Sequence, residues 1–169
     1  MQILKQAKPR YWLLLVCVFF VNACDRQPTG YDILGGGRVN LAELEGKMVF
    51  INYWAQWCAP CRVEIPEFNH FAKEYADDVR VLSVNFDGVL GENLEAQVQS
   101  LGIEFDTLLQ DPRQDLSVPL SGGLPETIVL NRQGLVVAVL LGPQTKEDLH
   151  AVFKRFEAGI TPKGGGSDF

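Results

Sequence analysis

The sequence contains few of the residues from which metal sites are built. Only two of its 169 residues are histidine, and only four are cysteine. Zinc usually takes four Cys or His ligands, and the one Cys-x-x-Cys pair has no second pair to complete such a set. His70 and His150 do not form a ligand-spaced cluster, and His150 is predicted to be a surface or packing residue of the last helix. We therefore expect neither a metal ion nor a cofactor.

Positive charge is also scarce, with 15 Lys and Arg against 21 Asp and Glu and a formal net charge of −6. A nucleic-acid-binding domain carries a basic face, and a protein held at anionic lipids carries clusters of Lys and Arg. The composition argues against both classes, so no nucleic-acid partner is expected. The hydrophobic fraction of 47% is ordinary for a globular protein, and the length fits one domain.

A membrane-spanning helix needs about 20 apolar residues, and the apolar run over residues 11–21 has eleven. Three basic residues precede it, and this pattern is typical of a secretory signal. The run closes with Val21-Asn22-Ala23-Cys24, which resembles the lipobox of bacterial lipoproteins. In those proteins the cysteine becomes the lipidated N-terminus after cleavage. An uncleaved helical anchor with an incidental cysteine is the alternative.

These features predict the organisation of the chain and its location. We expect a signal peptide over residues 1–23, a lipidated tether over 24–31, a folded domain over 32–158 and a flexible tail over 159–169. Asp25, directly after Cys24, resembles the inner-membrane retention signal of enteric-type bacteria. The predicted location is therefore the periplasmic side of the inner membrane, an oxidising compartment where only Cys58 and Cys61 remain as free cysteines.

Strands that alternate with helices predict an α/β fold around a mixed central β-sheet. The apolar run 48–54 predicts a central strand buried on both faces, followed by a helix over about 59–76. Pro66 is expected to kink that helix. The other predicted elements are a short hairpin around the glycines 35–37, a turn over 40–44 capped by Asn40 and Glu43, strands over 79–86, 105–109, 127–130 and 135–141, and helices over 92–101 and from Thr145 to Gly159.

The segment Trp57-Cys58-Ala59-Pro60-Cys61 is predicted to carry the chemistry. Cys58 follows a buried strand and begins a helix, where unpaired N–H groups and the helix dipole favour a thiolate. Cys61 lies one turn later on the same face, and Pro60 suits the first turn. This arrangement predicts thiol–disulfide exchange, in which Cys58 attacks and Cys61 resolves the mixed disulfide. Half of a zinc site and an inert structural disulfide are the alternatives.

Residues 46–66 resemble the TlpA, ResA and DsbE (CcmG) group of thioredoxin-like proteins. The pattern Trp-Ala-x-Trp-Cys-x-x-Cys-Arg-x-Glu-x-Pro and a later Leu124-Pro125-Glu126-Thr127 carry the resemblance, which covers about residues 32–158. It implies a thioredoxin-like fold with an N-terminal hairpin and a central insertion over about 88–123. It also implies that Pro125 is a cis-proline facing the cysteines and that Leu124 offers its backbone to a substrate strand. Trp57 and Pro60 would line the same surface, while Trp54 is predicted to lie in the core.

One departure from thioredoxin concerns proton transfer. Thioredoxins carry a buried Asp at the position of Asn52, so that proton acceptor is missing here. Glu64, three residues after Cys61, shares its helix face and is predicted to accept the proton of Cys61 during resolution. Acids at this position in ResA-type proteins point the same way. The alternative is a solvated Glu64 paired with an exposed cation.

The expected function is that of a membrane-tethered disulfide reductase acting on client proteins with disulfides or thiols. Ala59-Pro60 resembles the Gly-Pro dipeptide of reducing thioredoxins, and the family implies an upstream membrane thiol reductase of the DsbD or CcdA type. Delivery of reductant to apocytochrome c is an alternative, although Leu124 stands where DsbE-type proteins often have Ala. A net oxidase and a thioredoxin-like binding module without turnover are the others.

Overall fold

The structure is a computed structural model that describes residues 30–157. Its elements are β1 (Gly30–Asp32), β2 (Arg38–Asn40), a 3₁₀ helix (Leu41–Leu44), β3 (Met48–Trp54), α1 (Ala59–Glu74), β4 (Val79–Asn85), α2 (Gly91–Leu101), β5 (Asp106–Leu108), β6 (Glu126–Leu130), β7 (Val136–Leu141) and α3 (Lys146–Glu157). The predictions of a signal peptide, of lipidation at Cys24 and of a C-terminal tail lie outside the described residues. Within those residues no helix has the length and apolar content to cross a bilayer.

Five strands form one mixed sheet in the order β5-β4-β3-β6-β7. The central strand β3 runs parallel to β4 and antiparallel to β6, while β5 and β7 form the two edges. β1 and β2 pair as the predicted hairpin, which begins at Gly30 and so takes in the last two residues assigned to the tether. The predicted α/β class with a mixed central sheet is confirmed.

The side chains of β3 alternate between the two faces of the sheet, and all seven residues are buried. Val49, Ile51 and Tyr53 belong to the core on one face, under the hairpin and the segment that precedes β6. Met48 and Phe50 belong to the core on the other face, together with the apolar sides of α1 and α3. Neighbouring residues of β3 therefore lie in different environments.

Helix α1 continues through Pro66 and ends at Glu74, two residues earlier than the sequence predicted. Its predicted core face is confirmed, because Phe68 and Phe71 are fully buried. Tyr75, the C-cap residue, packs its ring against Phe71 and bonds through its hydroxyl to His150. His150 is partly buried and packs against Tyr75, in agreement with the prediction of a surface or packing residue.

The predicted insertion lies between β4 and β6 and contains both α2 and β5. α2 ends as predicted at Gly102, whose φ of 68° is in the left-handed region. β5 joins the main sheet, so part of the insertion belongs to the core fold. The remainder, residues 109–125, has no regular structure and lays Leu116 and Val118 over the core face that contains Tyr53. This segment leads directly into β6.

Candidate active site

The two cysteines lie where β3 gives way to α1. The Cys58 N–H donates to the carbonyl of Ala55 at 3.1 Å, and this turn makes Cys58 the N-cap residue of the helix. Pro60 occupies the first helical turn, as predicted. Cys58 and Cys61 form a disulfide, and the Cys61 N–H points at the Cys58 sulfur at 3.2 Å. That N–H and the helix dipole would stabilise a Cys58 thiolate in the reduced protein.

The disulfide is largely covered by protein. Cys61 is fully buried and Cys58 is 3% exposed, whereas Trp57 is 65% exposed. The Trp57 indole N–H donates to the Asp87 carboxylate at 2.9 Å, which fixes the ring on the surface beside the cysteines. Trp54 is fully buried, as predicted. The exposed Trp57 and Pro60 therefore lie beside the covered Cys58 in the chain.

The segment before β6 lies against the same cysteines. The Leu124–Pro125 peptide bond is cis, as the family resemblance implies, and Leu124 packs on the apolar cluster that contains Cys58 and Cys61. Within residues 30–157 neither the N–H nor the carbonyl of Leu124 bonds to another backbone group. The Pro125 carbonyl, in contrast, accepts from the Gly142 N–H at 2.9 Å. Leu124 thus has backbone groups that an extended peptide could pair with.

Glu64 is buried on α1, one helical turn after Cys61. Its side chain accepts from the Asn52 amide at 2.7 Å and from the Gln144 backbone N–H at 3.1 Å, and the residue is 1% exposed. Burial raises the pKa of Glu64 to about 7, and the two hydrogen bonds only partly oppose this rise. Both partners are uncharged, so the alternative of a solvated Glu64 paired with an exposed cation is wrong. The Asn52 amide also donates to the Thr127 hydroxyl at 3.3 Å.

A second buried carboxylate was not identified from the sequence. Glu126 is 1% exposed and forms two bonds with the Arg113 guanidinium, at 2.6 and 3.1 Å. The guanidinium carbon lies 4.3 Å from the centre of the Tyr53 ring. The Tyr53 hydroxyl donates to Asp111 at 2.7 Å, and burial followed by that bond raises the pKa of Tyr53.

The sequence pattern indicates only one member of the ion pair, Glu126. A glutamate at the start of a strand buried on both faces requires a partner. Nothing in the local pattern identifies Arg113 as that partner, because it lies in a segment without regular structure. Gln144 was missed for a different reason, since it contacts Glu64 through its backbone and not its side chain.

Relatives of this chain include proteins named thiol-disulfide oxidoreductases. The AhpC/TSA family profile matches residues 27–139. The thiol-disulfide oxidoreductase ResA of Bacillus subtilis is 33% identical over 133 residues, which cover 75% of this chain and 70% of that protein. The thioredoxin-like protein YneN of the same organism is 34% identical over 122 residues, which cover 69% of each chain.

Solved structures agree with this assignment. A DsbF homologue from Corynebacterium diphtheriae superposes with a TM-score of 0.66 at 27% identity, over 76% of this chain and 83% of the other. A DsbE thiol:disulfide interchange protein from Chlorobium tepidum gives a TM-score of 0.60 at 27% identity, over 77% and 91%. With two cysteines placed for exchange at a helix N-terminus, the protein is a thiol-disulfide oxidoreductase of the ResA/DsbE type, and the chain belongs to the AhpC/TSA family of thioredoxin-like proteins.

Proposed function

We propose that the protein is a disulfide reductase, tethered by lipid on Cys24 to the periplasmic side of the bacterial inner membrane. The observation that carries the catalytic part is the position of Cys58, whose sulfur receives the Cys61 N–H at the start of α1. A thiolate held in this way is a good nucleophile toward an exposed client disulfide. The sequence patterns at residues 1–25 support the tether and the location.

In the proposed cycle the reduced Cys58 thiolate attacks one sulfur of a client disulfide. This step forms a mixed disulfide and releases the other client sulfur as a thiolate. Cys61 then loses its proton and attacks the Cys58 sulfur, which closes the Cys58–Cys61 disulfide and releases the second client sulfur. Two electrons pass to the client, and an upstream dithiol must restore them. A membrane thiol reductase of the DsbD or CcdA type, as the family implies, would be that donor.

Glu64 is the proposed acceptor for the proton that Cys61 loses. The pKa of Glu64, raised by burial to about 7, makes the carboxylate a better base than an exposed glutamate at neutral pH. Asn52, at the position of the thioredoxin Asp, cannot accept a proton but holds the carboxylate by its amide. The two residues together would replace the missing acid.

The reducing direction is tested by the reduction potential and by catalysis. The Ala59-Pro60 dipeptide favours a potential near or below the thioredoxin value of about −270 mV. We expect the purified domain to accelerate insulin reduction by dithiothreitol, which a binding module without turnover would not do. A potential near the DsbA value of about −120 mV would show an oxidase instead.

Clients are identified by trapping. With Cys61→Ala the mixed disulfide cannot be resolved, so Cys58 should remain covalently joined to its client. A Cys58→Ala, Cys61→Ala variant is the matched control and should retain nothing. Apocytochrome c among the trapped proteins would identify this protein as a reductant in cytochrome c maturation.

The anchor has its own test. Cys24→Ser should release the protein from membranes or leave its precursor unprocessed, while Cys17→Ser should change neither processing nor membrane retention. Normal processing and membrane retention of the Cys24→Ser protein would refute lipidation at this residue.

A further inference from the structure

Arg113 connects two parts of the segment that leads to the candidate client site. Its side chain is 6% exposed and is paired with Glu126, the residue that follows Pro125. The Nη1 atom that bonds to Glu126 also donates to the Pro119 carbonyl oxygen at 2.6 Å. One guanidinium therefore holds the backbone at Pro119 against the first residue of β6.

Ser121 adds a second connection to the same charged pair. Its hydroxyl oxygen lies 2.7 Å from the Glu126 carboxylate and 3.0 Å from the Gly123 carbonyl oxygen. A hydroxyl has one proton, so it donates to one of these acceptors at a time. Gly122 and Gly123 are exposed and have no side chains that could pack, which makes these polar contacts important for holding the backbone.

We propose that Arg113 is a positioning residue for client binding, because it fixes residues 119–123 and thereby sets the backbone of Leu124 where a client strand pairs. The inference rests on the proposed function, in which the client bonds to the free backbone groups of Leu124. Glu126 is paired with Tyr53 in the sheet, whereas Leu124 has already left the sheet. The orientation of Leu124 is thus set by β6 on one side and by residues 119–123 on the other.

The geometry of the guanidinium favours positioning over direct contact with a client. Its three nitrogens all face protein groups, with Nε 3.9 Å from the Asp111 carboxylate and the Tyr53 ring alongside. A planar fork that bonds both Glu126 oxygens and one carbonyl fixes direction as well as distance. An apolar pair of similar volume could supply comparable stability but would not fix direction in this way.

The test separates client binding from the chemistry of the cysteines. Two variants are used: Arg113→Lys, and Arg113→Met combined with Glu126→Gln, which leaves no unpaired buried charge. Reduction of an extended peptide with one disulfide gives KM and kcat. Alkylation of reduced Cys58 by iodoacetamide and the reduction potential report the cysteines without a peptide. We expect KM to rise about tenfold in both variants while kcat, the alkylation rate and the potential change less than about twofold.

The matched control removes a remote ion pair, with Arg80→Met and Asp106→Asn on β4 and β5. This control should leave the peptide KM within about twofold of wild type. An unchanged peptide KM in both Arg113 variants would overturn the proposal. Equal decreases in the rate of peptide reduction and in the rate of Cys58 alkylation would overturn it as well. If one variant does not fold, the other decides.

Failure of the proposed function would be distinguishable. A wild-type protein that oxidises the dithiol form of the peptide, and does not reduce the disulfide form, refutes the reducing direction. The KM for the dithiol peptide then decides the role of Arg113 by the same comparison, because pairing with Leu124 does not depend on the direction of electron flow.

Discussion

Glu64 and Glu126 are both 1% exposed. Their carboxylates lie on opposite faces of the sheet, at strands β3 and β6. Glu64 contacts the face of β3 that carries Asn52, while Glu126 contacts the face that carries Tyr53. Glu64 receives only uncharged donors, and its pKa is raised to about 7. Glu126 receives a bidentate guanidinium and lies beside a serine hydroxyl. The two carboxylates are equally buried, but their different partners give them different chemical behaviour.

The difference lies in how each site compensates for lost water. A buried carboxylate without a cationic partner has a raised pKa, so it can exchange a proton near pH 7. A buried carboxylate with an arginine remains a charged anchor, whose directional bonds hold neighbouring backbone. The first kind lies one helical turn after Cys61, and the second kind directly follows the cis-proline Pro125. Each of the following predictions tests one side of this contrast.

The largest effect is expected when the anchor loses its cation. Arg113→Met leaves Glu126 as an unpaired buried charge, and such a loss typically costs about 3–5 kcal/mol of unfolding free energy. Urea denaturation of the oxidised protein at neutral pH measures it. Adding Glu126→Gln to Arg113→Met should recover more than half of the loss. Arg80→Met, which breaks the partly exposed pair with Asp106, should cost less than about 1 kcal/mol. An equal loss for Arg80→Met and Arg113→Met would contradict the contrast.

The next effect is a dependence of stability on pH that comes from the buried Glu64. Its pKa in the folded state is raised from 4.5 to about 7, so the folded state binds more protons between these values. The contribution is fully present below about pH 4.5 and is lost as pH rises toward 7, and it amounts to at most about 3 kcal/mol. Urea denaturation of the oxidised protein across this range measures the fall.

Glu64→Gln is the control, because it removes the titrating group and keeps the shape. The free energy of unfolding of wild type minus that of Glu64→Gln should decrease as the pH rises over this range. Glu74 and Asp148 have lowered pKa values, so they add stability with rising pH, and this contribution cancels in the difference. A difference that does not vary with pH would show that the pKa of Glu64 is not raised in the folded state.

The sequence predicted the parts of this arrangement that depend on local pattern. The apolar run of β3, the helix start at Cys58 and the i, i+3 spacing of Cys61 and Glu64 all follow from residues near one another in the chain. Pro125 was placed by family resemblance, since local pattern alone indicates only the start of a strand.

The contact between Arg113 and Glu126 could not be predicted from local pattern. Arg113 and Glu126 meet because an irregular segment of the insertion folds back on β6, and no periodicity encodes such a path. The segment over 40–44 shows the same limit on a small scale. Asn40 caps the turn as predicted, but it accepts from Ala42, while Glu43 reaches the Asn40 side chain and not its backbone. Side-chain partners are decided by tertiary packing.

The third prediction concerns rate. Glu64→Gln should slow the attack of Cys61 on a mixed disulfide at Cys58 by about ten- to a hundredfold at pH 7, because the proton loses its acceptor. Release of thionitrobenzoate from a Cys58 adduct measures this unimolecular step. The matched control neutralises the other carboxylate, with Glu126→Gln and Arg113→Met together, and should leave the rate within about twofold. Equal slowing by both changes would mean that packing, and not proton transfer, limits the step.

The smallest effect concerns Asn52, whose hydrogen bond lowers the pKa of Glu64 against the stronger effect of burial. Asn52→Ala removes a donor to the charged form, so the pKa of Glu64 should rise above its present value. The midpoint of the pH-dependent loss of stability should then move to higher pH, whatever uniform loss the small cavity causes. The carboxylic acid band of Glu64 in the infrared spectrum of the oxidised protein, followed against pH, gives an independent midpoint.

Thr127→Val is the control, because Thr127 bonds to Asn52 but not to Glu64. The midpoint measured in this variant should move less than that in Asn52→Ala. A midpoint that moves to lower pH in Asn52→Ala would show that the amide does not stabilise the carboxylate.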